Sequence, residues 1–503
     1  MSDSTASVVC IGAGPAGLTA AYLLCKKGVN VTVLEQDPVY VGGISRTETY
    51  KSFGIDIGGH RFFSKSREVE DLWTEMLGDD MLERPRKSRI CYRGSLFAYP
   101  LRATDALRKL GPIEAARCVF SYIGARLQPV QSPRNFQDWV VNQFGRRLFE
   151  IFFRTYTEKV WGMKCTEISA DWAAQRIKGL SLTKAIWHAL LPQKQRRPRE
   201  KIIKTLVDSF RYPRRGPGML WEAAADSVVR NGGEILLGRR VLSMARDKAS
   251  RRWTIEAQGI DGAKERFTCD HVISSMPMRE MISALAPEPP SAVREAANAL
   301  RYRDFLVVAL IVKDHKLFDD NWIYIHDPNV KVGRIQNFRS WSPEMVPQDG
   351  LNCYGLEYFC FEGDGIWTSS DKDLVALATK ELIALGLADA SSILDGTVVR
   401  QPKAYPVYDD GYQERVAAIR EEIESNYANL HLVGRNGMHK YNNQDHAMMT
   451  AMLVAKNIIA GSRLYDQWLV NQDAEYHEEC GADVEHRDRG GRSVPALASA
   501  SVA

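Results

Sequence analysis

The sequence predicts an α/β fold, and three observations favour it. Residues 7–46 alternate between short apolar runs, glycine turns and one segment with helical spacing, as in a βαβ unit. Short apolar runs at 271–276 and 430–433 lie far along the chain, as expected when distant segments complete one parallel sheet. The chain has 503 residues, 45% hydrophobic and 25% charged, which suits two or three interwoven globular domains.

The βαβ unit begins with apolar residues 7–11, which lead directly into Gly12-Ala13-Gly14-Pro15-Ala16-Gly17. This G-x-G-x-x-G spacing at a strand-to-helix junction is typical of dinucleotide-binding sites. Residues 18–27 carry apolar side chains at helical spacing, and residues 29–34 form the second predicted strand. The spacing therefore predicts a Rossmann-like domain.

Each residue of this turn has a physical role in holding a dinucleotide. Gly12 permits the tight turn, Gly14 allows a pyrophosphate to approach the backbone, and Gly17 allows close packing of helix on strand. Ala16 lies at the helix N-terminus, where free N–H groups attract phosphate. Glu35, eighteen residues past Gly17, can accept hydrogen bonds from ribose hydroxyls.

A second glycine turn, Gly42-Gly43-Ile44-Ser45-Arg46-Thr47, follows the acid. It resembles the G-G-x-x-R-[ST] segment of the flavin amine oxidase, protoporphyrinogen oxidase and UDP-galactopyranose mutase group. The resemblance implies an FAD-binding domain of the GR2 type, in which Gly42, Gly43 and Arg46 meet the FAD pyrophosphate. The alternative is an ordinary hairpin turn with a solvated Arg46.

A Gly-Gly pair at 58–59 precedes His60 and would let the backbone lie flat against a ring system. This stretch resembles the Gly-x-His-x-Phe loop of the UDP-galactopyranose mutase family. The resemblance implies that Gly59 and His60 lie against the flavin ring. The alternative is a loop histidine bonded to nearby backbone.

The string Tyr156-Thr-Glu-Lys-Val-Trp161-Gly-Met ends a predicted helix, 149–161. It resembles the substrate-domain signature of the mutases, which implies that Tyr156 stacks on a nucleotide base and Trp161 lies near the sugar. Spacing alone leaves a core role for both aromatic residues open. The resemblance also implies that Arg176 pairs with the substrate diphosphate.

Two further segments extend the resemblance. Residues 333–343 resemble the mutase segment R-I-x-x-x-x-x-x-S-P, which implies that Arg334 binds the substrate diphosphate. Residues 434–445 resemble the segment G-R-x-G-x-x-x-Y-x-[DN]-x-D, although Asn443 stands where the mutases usually have aspartate. The implied cofactor contacts are Gly434, Arg435 and Asn443, and the implied substrate contacts are Tyr405 and Tyr441.

Composition limits the partners and the compartment. The net charge of +4 is small and dispersed, so it does not indicate a nucleic-acid partner. Nine cysteines without a C-x-x-C pair favour thiols in a reducing cytoplasm over disulfides or a zinc site, and no metal is expected. We expect neither a signal peptide nor a membrane span. Residues 184–215 hold basic residues beside apolar ones, which fits either a solvated helix pair or a peripheral contact with an anionic membrane.

The predicted domains are interwoven. They are a discontinuous FAD-binding domain (1–66, 212–285 and 400–465), a helical substrate domain (67–211), an antiparallel substrate-domain sheet (286–399) and a largely disordered C-terminal extension (466–503). The FAD domain is thus expected to carry an inserted, mixed helical and antiparallel-sheet substrate domain.

The resemblance implies an isomerase, a UDP-galactopyranose mutase-like enzyme that uses reduced FAD as nucleophile on a nucleotide- or lipid-linked sugar diphosphate. Its catalytic residues would be Arg334, Arg176, His60 and Tyr441, with the arginines stabilising the departing diphosphate. It further implies an external reductant such as NAD(P)H and a role in cell-surface polysaccharide biosynthesis, and it leaves a homodimer open. The alternative is an FAD-dependent oxidoreductase of the amine oxidase or protoporphyrinogen oxidase type.

Overall fold

A computed structural model describes residues 6–101, 103–168, 170 and 209–471 of the chain. Its strands are β1 (Ser7–Ile11), β2 (Asn30–Leu34), β3 (Thr47–Tyr50), β4 (Phe53–Asp56), β5 (Met81–Pro85), β6 (Ser88–Tyr92), β7 (Ser95–Ala98), β8 (Ser209–Pro213), β9 (Glu234–Leu236), β10 (Arg240–Arg246), β11 (Trp253–Gln258), β12 (Lys264–Cys269), β13 (His271–Ser274), β14 (Leu285–Ala286), β15 (Tyr302–Lys313), β16 (Trp322–Ile325), β17 (Arg334–Asn337), β18 (Leu351–Cys360), β19 (Ile393–Pro406) and β20 (Leu430–Leu432). Its α-helices are α1 (Pro15–Cys25), α2 (Arg67–Leu77), α3 (Ala103–Leu110), α4 (Pro112–Leu127), α5 (Phe136–Phe144), α6 (Arg146–Phe149), α7 (Thr155–Trp161), α8 (Gly218–Arg230), α9 (Met278–Ala284), α10 (Ser291–Asn298), α11 (Phe338–Trp341), α12 (Asp371–Ala384), α13 (Tyr412–Asn426), α14 (Gly434–Gly437) and α15 (Gln444–Ala460).

A five-stranded parallel sheet in the order β20-β13-β1-β2-β9 forms the centre of the nucleotide-binding part. The first strand, β1, pairs on one side with β2, which follows it closely along the chain. On the other side it pairs with β13, which begins at residue 271. The α/β class predicted from the N-terminal pattern and the late apolar runs is therefore confirmed.

This sheet is the middle of three layers. Val8, Cys10 and Val31 face a core shared with α1, α8 and α15. Val9 and Ile11 face the opposite core, which is shared with α9 and with the four-stranded sheet β12-β11-β10-β14. Successive side chains of a strand point to opposite faces, so apolar residues at both positions require cover on both faces.

A seven-stranded sheet in the order β19-β15-β18-β17-β16-β6-β7 forms the second body. Its pairings are antiparallel except for β16 with β6, which run parallel, so the predicted antiparallel sheet is in fact mixed. The hairpin β6–β7, which the apolar run at 90–97 already indicates in the sequence, lies inside the predicted helical substrate domain 67–211, and β19 runs across residue 400. The domain boundaries therefore stay a proposal.

The helices α3 to α7 pack at one end of the seven-stranded sheet, where they share a core with β6 and β7. Helix α2 instead packs in the core of the nucleotide-binding part, through Val69, Leu72 and Trp73. The predicted helix 149–161 is interrupted, because a π-helical turn at Glu150–Arg154 separates α6 from α7. Among the described helices, none is both long enough and apolar enough to cross a membrane. The eight cysteines in the described ranges are all free and buried.

The basic segment 184–215 is described only from residue 209 onward. There the chain forms β8, which pairs with β5, and Phe210 is buried. Arg211 binds Glu70, and Arg214 binds Asp80 and Glu344. This end is therefore a strand of the folded body, contrary to the surface helix expected, because its apolar and basic side chains find partners within the protein.

Candidate active site

A cavity of about 880 Å³ lies between the two glycine turns, the His60 loop and α14. Its wall contains ten of the predicted cofactor residues: Gly12, Gly14, Ala16, Glu35, Gly43, Arg46, His60, Gly434, Arg435 and Asn443. Gly17, Gly42 and Gly59 lie behind the wall and act through packing. The sequence patterns therefore converge on one space.

The two glycine turns touch at the bottom of this cavity. The Gly42 N–H donates to the carbonyl oxygen of Ala13 (2.8 Å). A Cβ added to Gly43 would lie 3.4 Å from the Gly14 Cα, and Gly42 has a positive φ of 97°. Only residues without side chains allow the two turns to approach this closely, so together they leave a backbone-lined cradle.

Close packing also shapes the sides of the cradle. A Cβ on Gly17 would lie 1.9 Å from the Gly12 carbonyl oxygen, so α1 contacts the preceding strand through this glycine. A Cβ on Gly434 would lie 3.1 Å from the Ala16 Cβ. The N-terminus of α1 and the start of α14 therefore border the same space, and Asn443, Gln444 and Ala447 bring the N-terminus of α15 to the cavity wall. The positive end of a helix dipole suits an anion.

Glu35 closes the cavity at the end of β2. Its Oε2 accepts from the Ala13 N–H (2.6 Å) and its Oε1 accepts from the Asp37 N–H (2.9 Å). Burial raises the pKa of this carboxyl, and only 9% of the residue is exposed. Each carboxylate oxygen has a second lone pair, so Glu35 can still accept from ribose hydroxyls.

Arg46 is held by the protein rather than by solvent. Its guanidinium pairs with Glu48 (2.8 Å) and donates to the Gly43 carbonyl (3.0 Å) and to Gln401 Oε1 (2.5 Å). With 9% of the residue exposed, the alternative of a solvated turn arginine is wrong. Arg46 fixes the second glycine turn and adds positive charge to the cavity wall.

His60 lies at the other end of the cavity and is neutral. Burial lowers its pKa to about 4, and the nearby Arg435 and Arg334 cations act in the same direction. Nε2 lies 3.0 Å from the Ile57 carbonyl, which can only accept, so Nε2 carries the proton. Nδ1 is left facing Ser45 Oγ at 3.5 Å.

Arg435 lies beside two stacked tyrosines. The rings of Tyr405 and Tyr441 are 5.5 Å apart at 12°, and the guanidinium carbon of Arg435 is 5.0 and 5.1 Å from their centres. Arg435 Nε donates to the Asn442 carbonyl and Nη1 to the Ala404 carbonyl. These bonds keep the cation under the rings, where cation–π attraction holds both phenols in place.

Arg334 forms a buried ion pair beside the same loop. Its Nε donates to Glu357 Oε2 (2.5 Å), and Gln336 Nε2 donates to Glu357 Oε1 (2.6 Å). Burial opposes the charge on Arg334, but the Glu357 carboxylate offsets this and raises the pKa of Arg334. A Cβ on Gly58 would lie 3.6 Å from Arg334 Nη2 and 3.9 Å from Tyr405 Oη. Nη2 thus lies against the loop that carries His60.

Tyr156 lies close to this pair on α7. Its ring stacks on His326 (5.0 Å, 5°) and meets the edge of Tyr324 (5.4 Å, 86°). One face of Tyr156 is therefore already covered, and only the other could receive a planar base. Burial raises the pKa of Tyr156, so the phenol keeps its proton. Lys159 fixes this helix by donating to three backbone carbonyls between 325 and 332.

Trp161 packs behind the other predicted substrate residues rather than among them. Trp161 is 6% exposed and packs in the core of the helical part, with its ring 6.2 Å from that of Tyr441. Arg176 lies outside the described residues. The structure thus groups Tyr156, Arg334, Tyr405 and Tyr441 around the His60 loop, with Trp161 as support behind Tyr441.

Sequence reasoning missed several residues of the site. Glu357, Tyr324 and His326 complete the substrate end, and Arg239, Arg240, Arg279 and Lys403 line the cofactor cavity. A signal existed for Glu357, because it is the only charged residue in an otherwise apolar strand, and a buried carboxylate needs a partner. The others follow no pattern that spacing could reveal.

Comparison with known proteins gives the family. Residues 15–459 match the family described as flavin containing amine oxidoreductase. Over 171 residues the chain is 23% identical to a "Probable UDP-galactopyranose mutase" of Klebsiella pneumoniae, a match that covers 33% of this chain and 43% of the relative. The chain thus spans less than half the length of that curated relative.

The fold is also similar to solved structures. A reduced UDP-galactopyranose mutase matches with a TM-score of 0.79 at 22% identity, over 93% of this chain and 98% of that chain. A "Putative protoporphyrinogen oxidase" from Exiguobacterium sp. 255-15 matches with a TM-score of 0.68 at 18% identity, over 91% and 100%. At these identities the likeness shows the fold alone.

The cavity fits FAD on its own geometry. The side-chain-free cradle of Gly14 and Gly43 admits a pyrophosphate, the buried Glu35 suits a ribose, and the wall at His60 and Gly434 leaves room for a ring system. The chain therefore belongs to the flavin containing amine oxidoreductase family, and its cofactor is FAD.

Proposed function

We propose that this flavoenzyme is a pyranose/furanose mutase acting on a nucleotide- or lipid-linked sugar diphosphate. The observation that supports the proposal is the largely buried Arg334 guanidinium, held by Glu357 with its Nη2 near Gly58 of the His60 loop. A cation fixed at this end of the cavity suits an anionic substrate, whereas an oxidase of apolar substrates has no use for it. In this proposal bound reduced FAD supplies the nucleophile that displaces the diphosphate from the sugar carbon.

The arginines would bind the diphosphate. Glu357 occupies the Nε side of Arg334, and Nη2 lies near Gly58 of the His60 loop, so the Nη side of the guanidinium would be the one to meet phosphate oxygens. Arg435 contributes a second positive charge from beneath Tyr405 and Tyr441. Arg176 is proposed as a further ligand, as the resemblance implies. Positive charge preorganised at the leaving group stabilises the charge that develops there.

The tyrosines would donate hydrogen bonds to the departing oxygens. Burial raises the pKa of Tyr156 and Tyr405, so both remain protonated donors at neutral pH. Tyr441, stacked on Tyr405, is proposed in the same role. Neutral His60 adds no charge beside the flavin ring, which suits a cofactor that must act in its electron-rich, reduced form. An external reductant such as NAD(P)H is part of the proposal.

The oxidoreductase alternative has support from the family and from the fold of the second structure described above. It requires a substrate with an oxidisable C–N or C–C bond. Such a substrate would bleach the flavin under anaerobic conditions, and hydrogen peroxide would appear when air is readmitted.

The test compares two arginine variants in the dithionite-reduced enzyme. Arg334→Gln should lower the rate of interconversion of UDP-galactopyranose, or of whichever donor in a panel reacts fastest, by about a hundredfold or more. This is the size of effect expected when one preorganised donor to the developing charge is removed. The matched control is Arg339→Gln on the adjacent helix α11, because Arg339 lies at 3.7 to 4.0 Å from the carboxylates of Asp314 and Asp349 and bonds backbone carbonyls, away from the His60 loop. It should leave the rate unchanged.

Three results would count against the mutase proposal. They are no interconversion with any donor, equal loss in both arginine variants, and flavin bleaching by an amine or carbon substrate without any sugar chemistry. Binding of UDP, followed by the flavin absorption spectrum, gives a second measurement that does not depend on choosing the correct sugar.

A further inference from the structure

The outer face of α4 carries an apolar stripe with no partner in the described part of the chain. Ile113, Phe120, Ile123 and Leu127 are 73%, 74%, 47% and 76% exposed. Their spacing of seven, three and four residues places them on one side of the helix. Other exposed apolar residues in the described ranges are scattered singly, which is ordinary, so the concentration on α4 requires an explanation.

The stripe belongs to a firmly held helix. The opposite side of α4 buries Cys118 and Tyr122, and a Cβ on Gly145 would lie 2.7 Å from the Tyr122 backbone nitrogen. Arg147 of α6 binds α4 at two points: its backbone N–H donates to Ser121 Oγ (3.0 Å), and its guanidinium pairs with Glu114. The exposed side chains are thus presented by a fixed surface.

The charge on this face has one sign. Arg117 and Arg126 are exposed on α4, and Arg108 is exposed at the end of α3. None of the exposed residues of α4, all of which the structure describes, is acidic. Glu114 is largely covered and pairs with both Arg147 and Arg117, while the Arg117 side chain stays 66% exposed. Arg126 Nε donates to Tyr122 Oη (3.2 Å), which keeps its guanidinium at the border of the stripe. The face therefore combines apolar side chains with cations at their edge.

We propose that this α4 face docks on an anionic membrane surface. The four apolar side chains would enter the boundary between headgroups and acyl chains, and Arg117 and Arg126 would meet lipid phosphates. A second copy of the chain fits less well, because a two-fold contact across α4 would bring its arginines together, and the one acid of the helix, Glu114, is already engaged by Arg147 and Arg117. The inference goes beyond the proposed function and does not depend on it.

The experiment is sedimentation of the full-length, FAD-loaded protein with vesicles. At low salt the protein should partition into mixed phosphatidylcholine–phosphatidylglycerol vesicles and much less into pure phosphatidylcholine. The double variant Phe120→Ser and Leu127→Ser should lower this partition by about tenfold or more, since two large apolar side chains no longer insert. Arg117→Gln should lower it by about fivefold.

The matched control is Val229→Ser, which removes a 57% exposed apolar residue from α8 and should leave partition unchanged. Retained FAD absorbance shows that each variant is folded. Three results would overturn the proposal: no binding of the wild type to anionic vesicles at low salt, equal binding of wild type and the double variant, or a wild-type dimer that the double variant dissociates.

Discussion

Replacing Glu357 by Gln tests the electrostatic arrangement at the substrate end of the cavity. The Glu357 side chain is fully buried and accepts from both Arg334 and Gln336. The substitution keeps the size of the side chain and removes its charge. Arg334 then becomes a buried cation without a carboxylate.

The structure sets the expected magnitude. The Arg334 side chain is only 17% exposed, so water can replace little of the lost attraction. Removing one partner of a buried ion pair costs about 3–5 kcal/mol. The bond to Gln336 is recoverable, because Gln336 Oε1 is buried and unpaired and an amide flip lets it accept from the new side chain. We therefore expect the free energy of unfolding to fall by about 3 kcal/mol, at the lower end of that range.

The assay is urea unfolding of Arg334→Gln, Glu357→Gln and the double variant, followed by tryptophan fluorescence. The double variant should recover about 2 kcal/mol relative to the sum of the single losses, because neither charge is left alone. UDP should bind more weakly to all three variants than to the wild type, since each lacks either the Arg334 cation or the carboxylate that orients it. The double variant should therefore recover stability but not UDP binding.

Arg334→Gln should also make stability depend on pH. The lone buried Glu357 would have a raised pKa, so the folded state would bind a proton that the unfolded chain has already released. The loss should therefore be smaller at about pH 5 than at about pH 8. Strictly additive losses in the double variant, or a pH-independent loss in Arg334→Gln, would refute the coupling argued here.

Three further predictions concern Gly17 and His60 at the cofactor end and Asp56, a buried carboxyl of β4 that accepts from Thr47 Oγ1 beside the second glycine turn. Gly17→Ala should yield protein with little bound FAD, because the added Cβ meets the Gly12 carbonyl oxygen at 1.9 Å and moves α1 away from the cradle; absorbance of the purified protein measures this. Burial raises the pKa of Asp56 from 3.8 to about 7, so the folded state loses stability as pH rises across that range. The loss amounts to about 4 kcal/mol at most. Asp56→Asn should remove this pH dependence of the free energy of unfolding. Burial lowers the pKa of His60 from 6.5 to about 4, so the folded state loses stability as pH falls between these values. His60→Gln should remove this loss, and the melting temperature measured across that pH range would show it.

Matched controls accompany these three variants. Gly124→Ala adds a Cβ to a helix position with open space around it and should keep full FAD content. Asp349→Asn and His315→Gln alter exposed side chains and should leave the pH profiles unchanged. A colourless Gly124→Ala protein, or profiles of Asp56→Asn and His60→Gln that match the wild type, would contradict the reasoning.

The cofactor end of the site was largely predictable from sequence, because its chemistry is local. The turn at 12–17 and the turn at 42–47 each specify their backbone shape within six residues, and Glu35 follows at a fixed spacing. At the substrate end, only individual residues could be predicted, by their resemblance to the motifs of a known family. How these residues are arranged around one another could not be predicted. Whether Tyr156 faces the cleft or the core depends on His326 and Tyr324, which lie more than 160 residues away.

By itself, then, the sequence determined the strand–turn–helix elements, the α/β class and a dinucleotide-binding turn, since glycine spacing and apolar periodicity act over one turn or one strand. The choice of FAD came from the resemblance of residues 42–47 to a known family. The tertiary structure alone decided which charges pair and which side chains share a space. It joined Arg334 to Glu357, placed Arg435 under two tyrosines and left the α4 stripe exposed. These are contacts between distant segments, and their energies depend on burial, which periodicity cannot specify.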